Sequence, residues 1–142
     1  MKVVINGCYG GFSISKECAE YMEKLGSKQA KAELDEWKKN KKEIDYYLKH
    51  GKFRGAEEHA YLEIDARYKK EPSFYGYGYT GGFDGYRRDD KYLVEAVEKL
   101  GSKKASGYCA ELRVVEIPDG TDYYIDEYDG LEHVAEKHQT WY

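Results

Sequence analysis

The sequence Ala110-Glu-Leu-Arg-Val-Val-Glu-Ile117 alternates apolar and polar residues, and this period of two predicts a half-buried β-strand. The turn residues Pro118-Asp119-Gly120 end this strand, and Tyr123–Tyr128 predicts a second one. Asp129-Gly130 is a pair typical of a two-residue hairpin turn, so Leu131–Glu136 predicts a third strand that pairs with the second. The C-terminal part of the chain is therefore expected to form an antiparallel meander.

The N-terminal part adds one strand and two helices. Lys2–Asn6 is short and rich in β-branched residues, which predicts a strand that joins the meander as a further member. Ser13 or Ser15 is placed to cap a first helix, and Gly26 is placed to end it. A second, longer helix is expected from Ser27 to His50. The positions that recur at helical spacing are Ile14, Cys18, Met22 and Leu25 in the first helix, and Ala30, Leu34, Trp37, Lys41, Ile44 and Leu48 in the second.

The heptad spacing of the second helix indicates either a helical hairpin with the first helix or a helix that pairs across a dimer. Residues 56–70 are ambiguous, because Ala56–Ala60 favours a helix whereas the apolar residues that follow alternate as in a strand. These alternating residues are Leu62, Ile64, Ala66 and Tyr68. Asp89 or Asp90 then caps a short helix that Gly101 closes. The fold predicted is α+β, with an antiparallel meander sheet, a helical hairpin and one further short helix.

Composition bounds the function. The 142 residues amount to one domain, and no apolar stretch approaches the ~18 residues that a membrane span needs. The first apolar run is too short for a signal peptide, so we expect an intracellular protein. A net charge of −4 argues against a general nucleic-acid binder. Three widely spaced cysteines indicate neither a disulfide framework nor a zinc site.

Two regions of opposite charge stand apart in the sequence. Residues 28–54 carry nine basic against five acidic residues, whereas residues 111–142 carry nine acidic against two basic residues. Such segments either remain as separate solvated faces or attract each other, within the chain or between copies. The charge pattern alone leaves these alternatives open.

Catalytic signals are weak. His133 and His138 lie five residues apart, a spacing that fits neither a helical zinc pair nor one face of a strand. The acidic residues of the C-terminal part have no spacing that identifies an acid–base pair. The sequence therefore predicts no catalytic residue, no metal and no cofactor.

Binding signals are stronger. The chain has 16 tyrosines, and the Gly- and Tyr-rich segment from Phe74 to Tyr86 is either a stacking platform for a base, an exposed aromatic hairpin or an oligomer contact. Arg113 lies among the apolar residues Leu112, Val114 and Val115 of the first predicted strand, where it either faces water beside Glu111 or meets an anion in a cavity. Arg87 and Arg88 precede a helix N-terminus, where an anion gains from free N–H groups, although the adjacent Asp89 and Asp90 compete for the same donors.

Several stretches, in this order, resemble the phage anti-Thoeris proteins of the first type, a family of sponges that bind a cyclic ADP-ribose isomer signal without cutting it. They are Met1–Asn6 with Cys8–Ser13, Asp90 with Leu93–Glu98 and Leu100-Gly101, Val114–Asp119, and Glu127–Gly130 through Glu136–His138 to Trp141. Residues 27–86 lie outside the resemblance and are interpreted as a family-specific insertion within the single domain 1–142. The resemblance implies a homodimer or larger assembly in the cytoplasm of the host bacterium, with pockets near the subunit interface. From its hydropathy and net charge, the chain is expected to have neither a membrane nor a nucleic-acid polymer as a partner.

A ligand with an adenine, two riboses and a pyrophosphate needs aromatic stacking and guanidinium contacts. The candidate ligand-binding residues are Asn6, Tyr9 and Phe12 near the first strand, Phe83 as a stacker, Arg88 and Arg113 for phosphate, Asp89 for a ribose hydroxyl and Tyr128 as a polar aromatic. Two other functions stay open. One is a hydrolase of such nucleotides that uses the carboxylates with His133 or His138, and the other is a phage structural or host-interaction protein.

Overall fold

The computed structural model describes residues 1–54 and 60–137 and contains five helices and four strands in that part of the chain. In chain order these are β1 (Lys2–Asn6), α1 (Lys16–Leu25), α2 (Lys28–His50), α3 (Ala60–Tyr68), α4 (Lys91–Leu100), α5 (Ser102–Ala105), β2 (Leu112–Glu116), β3 (Tyr123–Tyr128) and β4 (Leu131–Glu136). The protein is α+β, as the sequence predicts. The predicted helical region at residues 56–59 lies outside the described residues.

The strands form two separate antiparallel pairs, so the prediction of one continuous meander is wrong. β1 pairs with β2, with Lys2 opposite Glu116, and β3 pairs with β4. The other edge of β1 is already occupied, because the Val4 N–H donates to the carbonyl of Arg88 at 2.8 Å. Asn6 N–H on the same strand donates to the Glu132 carboxylate at 2.7 Å. A loop and a side chain thus occupy the edge of β1 that β2 does not use, and β3 pairs with β4 instead of with β2.

The first two helices form the predicted hairpin. Ser15 accepts a hydrogen bond from the Cys18 N–H and caps α1, and Ser27 caps α2 in the same way. Gly26 joins the two helices with a φ of 116°, a left-handed conformation that glycine adopts without strain. The main core lies where β1, β2, α1 and α4 meet, and the first half of α2 packs on it.

The apolar seam of α2 divides between two clusters. Ala30 and Leu34 belong to the main core, whereas Ile44 packs against α3 in a smaller cluster with Leu62 and Ala66. The last seam residue, Leu48, is exposed. The two clusters account for the buried part of the seam within one chain.

Helix α3 resolves the ambiguous region after residue 59. Leu62 and Ala66 are buried, whereas Ile64 and Tyr68, which a strand would place on the same face, are exposed. Residues four positions apart lie on the same face of a helix, so the burial of Leu62 and Ala66 with Ile64 exposed fits a helix and not a strand. None of the helices in the described part of the chain is long and apolar enough to cross a membrane.

Candidate ligand-binding site

The aromatic segment 74–86 runs as a loop whose glycines are held by the core. Gly76 accepts a hydrogen bond from the Ile14 N–H at 3.0 Å, and Gly78 accepts one from the Gln29 side chain at 2.9 Å. A Cβ at Gly76 would overlap the backbone of Ile14, so only glycine fits there. The glycines bring the backbone close to the core, and the tyrosines between them project outward.

These tyrosines form a row along the surface. Tyr75, Tyr77 and Tyr79 are all exposed, with ring centroids 6.4 Å apart for the first pair and 6.2 Å apart for the second. Each ring leaves an apolar face and a hydroxyl accessible to a ligand. The rings are exposed, but residues 74–86 contain no strand, so the segment is a loop and not the aromatic hairpin that was one interpretation of the sequence. Its roles as a stacking platform or an oligomer contact stay predictions.

A buried carboxylate holds the loop at Gly78, between Tyr77 and Tyr79, and at Tyr86, where the loop ends. Glu33 of α2 accepts hydrogen bonds from the Gly78 N–H at 2.9 Å and from the hydroxyl of Tyr86. Burial raises the pKa of the Glu33 carboxyl and, together with the adjacent Glu33 charge, raises the pKa of the Tyr86 hydroxyl. Glu33 was not among the predicted site residues. The sequence shows only that it precedes Leu34 on α2, which does not indicate that its carboxylate is buried.

A cavity of about 340 Å³ lies beside the tyrosine row, and we call it the first cavity. Its aromatic wall consists of Phe12, Tyr77, Tyr79 and Tyr86. Its charged groups are Arg88, Asp84, Glu127 and Glu132. The volume is at the lower end of the range for small-molecule sites, ~300–1,000 Å³.

Arg88 is the central cation of the first cavity. Its guanidinium donates to both carboxylate oxygens of Glu132, at 2.5 and 2.8 Å, and it lies 3.7 Å from the ring centroid of Phe12. A third, longer contact of 3.5 Å reaches the Val4 carbonyl. A guanidinium has five N–H donors, so these contacts leave two for a ligand.

Asn6 connects the strands beneath this cavity. Its side chain is fully buried and donates to the carbonyls of Cys8 and Gly130, each at 2.7 Å. Its side-chain oxygen accepts from the Glu111 N–H at 2.8 Å. All of these partners are backbone groups, so Asn6 joins three segments of the chain and supports the site from below.

The structure brings two of the eight predicted ligand-binding residues, Phe12 and Arg88, to the first cavity. Tyr9, Phe83, Tyr128 and Arg113 are exposed and lie outside its lining. Asp89 forms an ion pair with Arg87 at 3.2 Å, also outside the lining. The assignment of all eight residues to ligand binding, including Phe12 and Arg88, stays a prediction.

The side chain of Arg113 is exposed, on the face of β2 opposite to that of the buried Leu112. It lies opposite Ile5 in the β1–β2 register, and its side chain approaches Gly7. Within residues 1–54 and 60–137, no carboxylate forms an ion pair with it. Of the two environments that the sequence left open, the structure has the solvent-facing one.

A second cavity, of about 330 Å³, adjoins the first and shares Tyr77 with it. Its lining includes Lys69, Ser73, Tyr75 and Tyr108. The Lys69 ammonium donates to the Ser73 hydroxyl at 2.9 Å. Sequence reasoning did not find this cavity, because α3 and the aromatic loop meet only in the folded chain.

Groups suited to catalysis are dispersed. His133 pairs with Asp126 at 3.0 Å on the exposed hairpin, and His138 lies outside the described residues. No cluster of three or more potential metal ligands occurs among the residues that the structure describes. The three cysteines are free thiols.

No known protein family matches the chain, and no curated protein sequence or solved structure matches it significantly.

Proposed function

We propose that this chain is a non-catalytic phage protein that sequesters a cyclic ADP-ribose isomer in the cytoplasm of the host bacterium and so blocks a Thoeris-type defence. The sequence resemblance to the anti-Thoeris proteins suggests the ligand class. The observation that carries the proposal is the Arg88 guanidinium held over Phe12 in a cavity walled by tyrosines. This arrangement offers stacking faces for a base and N–H donors for polar groups of the same ligand.

Pre-organisation supports a binding role. Glu132 fixes the Arg88 fork in a bidentate pair, and Glu33 fixes Tyr86 and the loop at Gly78. A ligand that enters such a site loses little free energy to the ordering of side chains. Tight capture of a scarce signal needs this property, because the protein acts by mass action and not by turnover.

The proposal includes assembly into at least a homodimer. Helix α2 carries most of the basic residues of segment 28–54, and the β3–β4 hairpin carries much of the acidic surplus of segment 111–142. Complementary charge of this kind favours association between copies. Light scattering at micromolar concentration is expected to give at least twice the chain mass of 16.5 kDa, and a mass of one chain would contradict the assembly.

A nucleotide hydrolase is the second candidate, because the carboxylates of Asp84 and Glu127 line the same cavity as Arg88. One experiment separates the two functions. The protein is incubated with each available cyclic ADP-ribose isomer, then heat-denatured, and the supernatant is analysed by chromatography. Intact ligand in the supernatant after depletion from the native mixture supports a sponge, whereas a converted product supports the hydrolase.

The site itself is tested with single variants. Phe12→Ala and Tyr79→Ala each remove a stacking face of the first cavity and are expected to weaken binding about 5- to 30-fold, equivalent to ~1–2 kcal/mol. Tyr68→Ala is the matched control, since Tyr68 is an exposed tyrosine on α3 outside the cavity. Equal affinities for all three variants in calorimetric titration would place the ligand elsewhere. A chain that binds no nucleotide but captures a host protein would favour the host-interaction function.

A further inference from the structure

The charges of the first cavity do not suit a diphosphate. Arg88 and Glu132 neutralise each other, which leaves the carboxylates of Asp84 and Glu127 as the excess charge of the lining. Glu127 already accepts a hydrogen bond from the Gly130 N–H, and the side chain of Asp84 is exposed. Phosphate oxygens beside two carboxylates meet like-charge repulsion. Sugar hydroxyls, in contrast, donate well to carboxylate oxygens.

The second cavity has the opposite character. Among the described residues that line it, Lys69 alone carries a formal charge. The tyrosine hydroxyls around it can donate hydrogen bonds to a ligand, whereas the Ser73 hydroxyl already donates its hydrogen to Asp65. The carboxylate nearest to Lys69 along this network is Asp65, which is buried behind Ser73. Both of its oxygens accept hydrogen bonds from that serine, at 2.9 and 3.0 Å. An anion in this cavity therefore meets an ammonium and hydroxyls first.

Tyr77 is the wall that the two cavities share. Its ring lies between Tyr75, on the side of the second cavity, and Tyr79, on the side of the first, at 6.4 and 6.2 Å between centroids. A ligand longer than either cavity can therefore extend across this ring from one to the other.

We infer that the nucleotide lies across Tyr77, with its purine and ribose in the first cavity and its diphosphate against Lys69 in the second. The inference rests on the proposed function and specifies which part of the ligand each cavity holds. Asp84 then accepts hydrogen bonds from ribose hydroxyls, and Lys69 compensates phosphate charge. The N–H groups of Arg88 that Glu132 and Val4 do not use donate to the base. The division follows from the opposite charges of the two linings.

The test compares a cyclic ADP-ribose isomer with its fragments, adenosine and inorganic pyrophosphate, by calorimetric titration on the full chain. Lys69→Ala is expected to weaken binding of the cyclic nucleotide about tenfold, to flatten its salt dependence, and to change adenosine binding less than twofold. Asp84→Asn is expected to weaken adenosine binding about three- to tenfold. Lys38→Ala removes an exposed lysine of α2 outside both cavities and serves as the charge control.

Competition supplies a second measurement. Pyrophosphate is expected to leave adenosine binding unchanged, because the two fragments occupy different cavities. Parent-like binding of the cyclic nucleotide by folded Lys69→Ala, or mutual exclusion of adenosine and pyrophosphate, would overturn the division while the proposed function stands. Binding of the cyclic isomers to neither the parent chain nor its variants would overturn both. Circular dichroism confirms that each variant is folded.

Discussion

Removal of Arg88 is expected to destabilise the protein because it leaves a buried carboxylate without its cation. The Glu132 side chain is 6% exposed and the Arg88 side chain 20% exposed, and both oxygens of Glu132 accept from the guanidinium. Breaking a buried ion pair on one side costs about 3–5 kcal/mol. Because solvent reaches part of Arg88, the lower end applies, and we expect Arg88→Met to lower the free energy of unfolding by about 3 kcal/mol.

A double-mutant cycle separates the pair from its surroundings. Glu132→Gln retains an acceptor for the Asn6 N–H and is expected to cost about 1–2 kcal/mol. The double variant should be more stable than the sum of the single costs indicates, by about 1.5 kcal/mol. Urea denaturation monitored by tryptophan fluorescence measures each value, and Arg87→Met, at an exposed neighbouring arginine, should cost less than about 0.5 kcal/mol. Single costs that add to within about 0.5 kcal/mol would refute the coupling that the geometry implies.

Three further predictions concern stability and reactivity. Gly76→Ala should lower the free energy of unfolding, measured in urea, by more than about 2 kcal/mol, because the added Cβ would overlap the backbone of Ile14. Gly82→Ala, at a similar φ but with no atom near the added Cβ, should lower it by only about 1 kcal/mol. With an aromatic disulfide reagent at pH 8, the exposed Cys109 should react within minutes. Cys18 should react only when the chain unfolds, because burial raises the pKa of its thiol to about 12. Rapid labelling of Cys18 in the folded protein would contradict this prediction. Burial raises the pKa of the Tyr86 hydroxyl above 10, so this proton is released first in the unfolded chain and the free energy of unfolding should fall above pH 10. Tyr86→Phe should make the decrease of the free energy of unfolding with pH less steep by about 1.4 kcal/mol per pH unit. An unchanged slope would refute the assignment.

Local patterns predicted most of the elements. The β-branched run Lys2–Asn6, the hairpin signal Asp129-Gly130 and the cap Asp90 each act within a few residues of the element they define, and each element is present. The split of the sheet could not be read in this way. The meander requires β2 to pair with β3, whereas β2 pairs with β1, in a register that sets Lys2 opposite Glu116. These two residues are far apart in the sequence, and no local pattern fixes which strands pair.

The candidate site was predictable only in part, for the same reason. Phe12 and Arg88 were found because stacking and charge are properties of single residues. The carboxylate of Glu132, which holds Arg88, is on a strand whose alternation gave no sign that this position is buried. Burial of Glu33 likewise results from the loop that covers it, and not from the pattern of its own helix.

The tyrosine row and Arg88 are attached to the fold in different ways, so substitutions at the two places should differ in their effect on folding. The loop is anchored through glycine backbone atoms, and the exposed rings of Tyr77 and Tyr79 contribute little to the core. Arg88, in contrast, accepts a hydrogen bond from Val4 of β1 with its carbonyl and donates to Glu132 of β4 with its guanidinium. Under the proposed function, substitutions in the row would alter which molecule is captured at small cost to folding, whereas a substitution at Arg88 would affect capture and folding together. Under changing selection, new specificities should arise along the row while the anchoring residues remain fixed.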